Sequence, residues 1–329
     1  MFFAKEDINE ALRLLAADAM LFVPGEFFGV SRFVPWDSGG IDTEYTNTQL
    51  PPKDVLFPNT EKMYSFNLGA DASVSEVTDS KKQIIFGIRP CDMNAVECMD
   101  KVFLEKGYAD TFYARKRENA VFIALACTAP AKTCFCDSMG GSPTKAPAAD
   151  LVLVDNGGSY GVFSQSEKGE AIVGLWDGIL TKEEVAEENS VVCTLKTKMS
   201  EKLPGKLAGM FEHPIWDEVG RACIGCATCT YSCPTCYCFD IGSDSYGNEG
   251  VTFRCWDSCM FSDYTRMAGG HNPRPAKKER VRNRYMHKLS YFNERYGKTL
   301  CVGCGRCVLK CPSNMDITEF IDKAAEVAL

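Results

Sequence analysis

The chain has 329 residues, 45% hydrophobic and 24% charged, enough for about two domains of ordinary size. There is no apolar run of roughly 18 residues, and Glu6, Asp7 and Glu10 stand where a secretory leader would be basic and then apolar. A membrane span is thereby excluded, the cytoplasm is the expected compartment, and a net charge of −8 excludes a general nucleic-acid binder. The 18 cysteines exceed what packing asks for, and in a reducing compartment such an excess points to metal or redox chemistry.

In chain order, residues 6–19 place Ile8, Leu12, Leu15 and Ala19 near helical spacing and predict an amphipathic helix. Residues 83–88 (QIIFGI) and 120–126 (AVFIALA) read as buried strands, each running into a cysteine. Between them residues 92–104 suit a helix with Asp92 as its N-cap. Residues 151–154 and 160–164, joined by Asp155-Asn-Gly-Gly-Ser159, read as a hairpin. Thr181-Lys-Glu-Glu184 resembles a capping box. Residues 1–200 are therefore expected to form an α/β domain.

Beyond residue 205 the composition changes, and twelve of the cysteines lie there. Between Arg266 and Lys298 ten basic residues face two acidic ones, leaving +8 in that insertion and −16 elsewhere. A solvated helical face is the plain reading; docking of an acidic partner and compensation of a buried anionic cofactor are the sharper ones.

Two cysteine runs carry the chemistry. Cys223-x2-Cys226-x2-Cys229-x3-Cys233-Pro234 and Cys301-x2-Cys304-x2-Cys307-x3-Cys311-Pro312 both have bacterial ferredoxin spacing. Three closely spaced thiolates wrap one cubane while the fourth reaches the neighbouring one. Two 4Fe-4S clusters are expected, one on Cys223, Cys226, Cys229 and Cys311, the other on Cys301, Cys304, Cys307 and Cys233. Structural zinc uses paired knuckles across a spacer, not four cysteines compressed before a proline. Such clusters exchange electrons, so electron transfer is the direct inference, with no catalytic residue assigned.

Ten cysteines remain. Cys91, Cys127, Cys134 and Cys136 follow the two buried strands, and ligands gather at the carboxyl ends of strands in open α/β sheets. A third 4Fe-4S cluster on these four is the expectation, with buried free thiols as the alternative. Cys98 and Cys193 read as core residues. Cys236, Cys238, Cys255 and Cys259 are open between small buried hydrophobes and a further metal or redox site. His271 and His287 lie in the basic insertion, where solvent exposure is the plain reading. There is no GxGxxG after a strand, no GxxxxGK[ST] and no HExxH, so no nicotinamide or nucleotide-hydrolysing site is visible.

Longer signatures go beyond ferredoxin: Arg89-Pro-Cys-Asp92, Cys127 with Thr133-Cys-Phe-Cys-Asp-Ser-Met-Gly140, Cys233-Pro-Thr-Cys-Tyr-Cys-Phe239, Trp256-Asp-Ser-Cys-Met260 and Met267-Ala-Gly-Gly-His-Asn-Pro-Arg-Pro275. Together they resemble the family of iron-sulfur subunits shared by anaerobic sulfite reductase and the soluble sulfhydrogenases, where it is the beta subunit, from about Leu56 to the C-terminus. The resemblance implies a subunit relaying electrons between an FAD- and NAD(P)H-binding flavoprotein and a catalytic reductase or hydrogenase subunit, without nucleic acid or membrane. All eight motif cysteines carry over as ligands. Cys91, Cys127, Cys134 and Cys136 match family cysteines, whereas Cys98 and Cys255 are extras. Arg274 and its basic neighbours are then expected against a cluster or a partner. The competing reading is a reductase in its own right, using an unusual cysteine-ligated cluster or a flavin. The expected fold class is α+β: the α/β domain, then a ferredoxin-like dicluster domain over residues 205–329 with a long basic insertion.

Overall fold

A computed structural model describes the chain except residues 40, 42, 44, 79–80, 106, 182–190 and 329. Most of the capping box read at 181–184 therefore lies outside the described residues. Strands β1 (Phe2–Ala4), β2 (Met20–Phe27) and β3 (Val30–Pro35) open the chain, and β4 (Thr60–Asn67) pairs with β5 (Ser73–Glu76). β6 (Gln83–Ile88), β7 (Ala120–Leu125), β8 (Leu151–Asp155) and β9 (Ser159–Ser164) follow, then the hairpin of β10 (Phe239–Tyr246) and β11 (Glu249–Trp256).

The first sheet runs β1-β9-β8-β7-β6-β2-β3, with β2, β6, β7 and β8 parallel and antiparallel strands at both edges. β6 and β7 are buried along their whole length because both faces are covered, which is why they read as continuous apolar runs. Ile84, Phe86, Val121, Ile123 and Leu125 pack on one face with Leu12 and Leu15 of the helix Ile8–Ala16. Ile85, Ile88, Phe122 and Ala124 pack on the other with Met93, Val96 and Met99. A register shift between Phe86 and Ile88 puts Ile88 on the face of Ile85 and leads the chain into Arg89 and Cys91.

The helix expected over 92–104 begins earlier. Arg89 is its extended cap residue, Pro90 is its first helical residue, and it spans Pro90–Asp100 before continuing as a π-helical turn over Lys101–Glu105. Asp92 therefore sits in the first turn, not at the cap, and its carboxylate is free to pair elsewhere.

The second sheet runs β10-β11-β4-β5. β11 pairs antiparallel with β4, from Glu249 opposite Asn67 to Cys255 opposite Thr60, so this sheet joins chain from both sides of residue 200. Arg254 of β11 is buried and ion-paired with Glu61 and Asp110. The remaining helices, including Ile215–Arg221, Lys277–Met286 and Ile317–Glu326, surround the cysteine motifs with a core of Trp216, Val281, Tyr285, Phe320 and Ile321. Mixed helices and sheets with the cysteine-rich half after an N-terminal half make the fold α+β, as expected. Among the described residues no helix is long and apolar enough to cross a membrane.

Candidate iron-sulfur site

The first motif forms a loop with Gly225 at φ +74° and Ala227 at φ +61°, then a single helical turn over Thr228–Tyr231. This left-handed backbone turns the loop back on itself. It faces a cavity lined by Cys223, Cys226, Cys229, Cys311 and Arg284, with Met260 and Met315. Cys311 comes from the second motif, so the crossed set of four predicted from spacing is brought together. The thiol of Cys226 accepts or shares a hydrogen bond with Thr228 Oγ1 at 3.3 Å, which lowers its pKa; burial pushes Cys229 up to about 11.

The second motif repeats the turn, with Gly303 at φ +66° and Gly305 at φ +74° ahead of the helix Arg306–Lys310. Burial raises Cys301 to about 12, opposed by the charge of Lys288 and assisted by Cys307 and Cys233. Cys304 is raised by burial too, with Arg306, Cys233 and Cys307 around it. The charge of Cys233 of the first motif thus acts on both Cys301 and Cys304 of the second.

The basic insertion resolves into two populations. Lys278 and Arg282 pair with Asp217 and Glu212, Lys298 pairs with Glu97, and Arg266 pairs with Asp263. Arg280, Arg284 and Lys288, spaced four residues apart, are buried. Arg280 donates to the carbonyls of Arg274 and Pro275. Lys288 Nζ donates to Cys233 Sγ at 3.1 Å and to Thr235 Oγ1 at 3.0 Å. Burial opposes the Lys288 charge, but Cys233 and Cys236 outweigh it and hold its pKa well above the ordinary value. Cys233 is correspondingly held as a thiolate, first by the Cys236 thiol and then by Lys288.

Whether these residues suit a cubane is tested by Arg284. Its Nε and Nη2 are buried without a hydrogen-bond partner among the described residues, while its guanidinium lines the four-cysteine cavity and lies near Cys229 and Cys307. A buried donor left unpaired is costly, and cluster sulfur is an acceptor that would satisfy it. The donors, the thiols and the tight loops fit an anionic sulfur cluster.

Sequence reasoning missed several contacts. Arg306 is buried and forms a two-pronged ion pair with Asp92 at 2.6 and 2.8 Å, clamping the second motif to the helix Pro90–Asp100. His287 is not solvent-facing: its Nε2 meets Tyr237 Oη at 2.9 Å, and burial lowers its pKa to about 4, helped by Lys288 and Arg274. His271 is exposed as read. The Cys238 and Cys259 thiols are hydrogen-bonded to each other beside Tyr264, and the Cys259 hydrogen bond lowers Cys238 to about 6. Cys98 is fully buried, its thiol directed at the Thr299 carbonyl. Cys193 is a buried core residue, as read, and its Sγ lies 3.6 Å from that of Cys136. Cys91 is buried in the same side-chain cluster as Cys134, Cys136, Cys193 and Cys304. The contact between Cys136 and Cys193 left no sign in the sequence, because 57 residues separate them.

The fold and the doubled motif define an iron-sulfur electron-transfer protein with 4Fe-4S clusters, and residues 222–315 match the 4Fe-4S dicluster domain family. The chain is 31% identical over 297 residues to sulfhydrogenase 2 subunit beta of Pyrococcus furiosus, covering 87% of this chain and 86% of that protein. The chain belongs to the iron-sulfur subunit family that contains this sulfhydrogenase beta subunit. No solved structure matches it.

Proposed function

We propose that this chain is the electron-relaying subunit of a cytoplasmic multisubunit oxidoreductase, set between an FAD- and NAD(P)H-binding flavoprotein and a catalytic subunit. The relative's name favours a hydrogenase-type catalytic partner over a sulfite reductase. Cys223, Cys226, Cys229 and Cys311 would hold one 4Fe-4S cluster, and Cys301, Cys304, Cys307 and Cys233 the other. The observation that carries the reading is the cavity in which Cys311 joins the three leading cysteines of the first motif.

When bound, such clusters supply reversible one-electron exchange at potentials set by nearby charge, hydrogen bonds and exposure. The chain's own residues prepare the ligands. Burial keeps Cys229 and Cys301 as thiols, so ligation must release their protons. Cys233 is already favoured as a thiolate by Cys236 and Lys288. Lys288 and Arg284 place fixed positive charge against sulfur in a dry interior, where an added electron is best stabilised.

Anoxic purification tests the reading. Cys311→Ala is expected to remove about four iron atoms and one cubane signal in electron paramagnetic resonance while the other persists. Flavoprotein and catalytic subunits are expected to copurify with the chain. Turnover of NAD(P)H or sulfite by the isolated chain with artificial redox partners would overturn the relay role and support a self-contained reductase.

A further inference from the structure

We propose that the Tyr285 hydroxyl is a hydrogen-bond donor to the sulfur of a 4Fe-4S cluster, beside Arg284. The inference rests on the dicluster reading above. Three tyrosine side chains are fully buried among the described residues: Tyr113, Tyr160 and Tyr285. Tyr113 Oη donates to Asp100 Oδ1 and Tyr160 Oη to Thr43 Oγ1, each at 2.7 Å. Tyr285 Oη has no hydrogen-bond partner among the described residues. A buried hydroxyl without an acceptor is destabilising, and native structures hold few.

Packing holds the ring in place. Its centroid lies 4.7 Å from that of Phe320, which in turn lies 4.9 Å from Trp216, all three in the core around the motifs. Arg284 cannot take the hydroxyl proton. Its guanidinium lies over the Tyr285 ring at 5.1 Å to the centroid, but arginine carries donors only, and its own Nε and Nη2 are likewise unpartnered among the described residues. Two consecutive residues of the helix Lys277–Met286 thus present buried donors with no acceptor between them. The helix runs on into the turn from which Lys288 donates to Cys233 Sγ at 3.1 Å, so sulfur is already the acceptor one turn away.

Cys229 of the first motif and Cys301 and Cys307 of the second pack against the side-chain cluster that buries Tyr285. Arg284 lines the cavity of the first set, and the charges of Cys307 and Cys229 act on the tyrosine hydroxyl. A hydrogen bond to sulfur favours the more negative, reduced state of a cluster and so raises its potential. A trapped water is the competing acceptor. It would satisfy the hydroxyl while leaving the cluster potentials independent of it.

The test compares anoxically purified full-length chain with Tyr285→Phe and Tyr113→Phe. It reads iron content, the midpoint potential of each cubane by electron paramagnetic resonance titration, and the Fe–S stretching bands in resonance Raman. Tyr285→Phe removes one oxygen atom and keeps the ring packing, so its iron is expected to match wild type. The reduction equilibrium of at least one cubane is expected to weaken about tenfold, which is about 59 mV for one electron, with a displaced Fe–S band. Tyr113→Phe, whose hydroxyl serves Asp100, is expected to leave potentials and bands at wild-type values and so controls for the loss of any buried hydroxyl. Wild-type potentials and bands in Tyr285→Phe, loss of iron from that variant, or the same shift in Tyr113→Phe would each overturn the proposal. Wild type without two cubane signals would overturn the dicluster reading and this inference with it, whereas the other outcomes fall on Tyr285 alone.

Discussion

The two cysteine motifs have identical spacing and opposite surroundings. The first loop is open: Ile224 is 64% exposed, Cys226 is exposed, and a side chain added at Gly225 would meet nothing closer than the Met260 carbonyl at 3.8 Å. The second loop is pressed against the N-terminal half. Cys304 is 8% exposed, the Phe135 N–H donates to the Gly303 carbonyl, and a Cβ on Gly303 would fall 2.5 Å from Cys136 Cα. Spacing is thus the same in both motifs, whereas packing decides which loop is exposed and which is covered.

The sharpest way to break this comparison is a matched pair of glycine substitutions. Gly303→Ala combines left-handed strain with a backbone clash and is expected to destabilise by roughly 3–5 kcal/mol, whereas Gly225→Ala adds strain alone, about 1–2 kcal/mol. Thermal unfolding under anoxic conditions reads the difference, and equal losses would erase the contrast between the loops. Asp92→Ala leaves Arg306 buried and unpaired beneath the second motif and is expected to cost about 3–5 kcal/mol in denaturant unfolding. A loss below about 1 kcal/mol would mean that the clamp does not hold the halves together.

His287 sharpens the boundary between the motifs, since it neighbours the lysine that reaches Cys233. Its folded pKa of about 4 lies below the ordinary 6.5, so the unfolded chain takes up a proton first as pH falls. Its contribution is complete above the ordinary value and is lost on descending toward the folded one, by about 3 kcal/mol in all. The stability difference between wild type and His287→Gln, measured from pH 7 to 4, is expected to move by that amount, and a flat difference would place the imidazole in water. The smallest effect is electronic. Arg284→Met removes a charged donor of roughly 1.5–3 kcal/mol beside the first cavity. It is expected to lower the potential of the cluster beside the first cavity by roughly 60–130 mV and that of the other, reached through Cys307, by less. Equal shifts in both would show that Arg284 acts as a general charge rather than through the first loop.

Much of this was legible because it is local. β6 and β7 announce themselves as apolar runs since both faces of the parallel sheet are covered. The cysteine runs announce cubane chemistry since three ligands share one tight loop. The stripe of Arg280, Arg284 and Lys288 lay within the basic insertion, but spacing alone did not separate those three from the paired cations at Lys278 and Arg282. Asp92 looked like a helix cap because its partner, Arg306, lies 214 residues away.

Eighteen cysteines, two ferredoxin spacings and the longer signatures around them were enough to determine the class of protein and its family, because ligand spacing and short motifs are properties of contiguous chain. The crossing of Cys311 to the first motif was readable from ferredoxin spacing, whereas the tertiary structure alone decided that Cys193 meets Cys136. It also decided that one loop is sealed and the other open. Those outcomes depend on how β11 pairs with β4 and how the second motif seats on Asp92 and residues 133–136, contacts between segments far apart in the chain that no local pattern encodes.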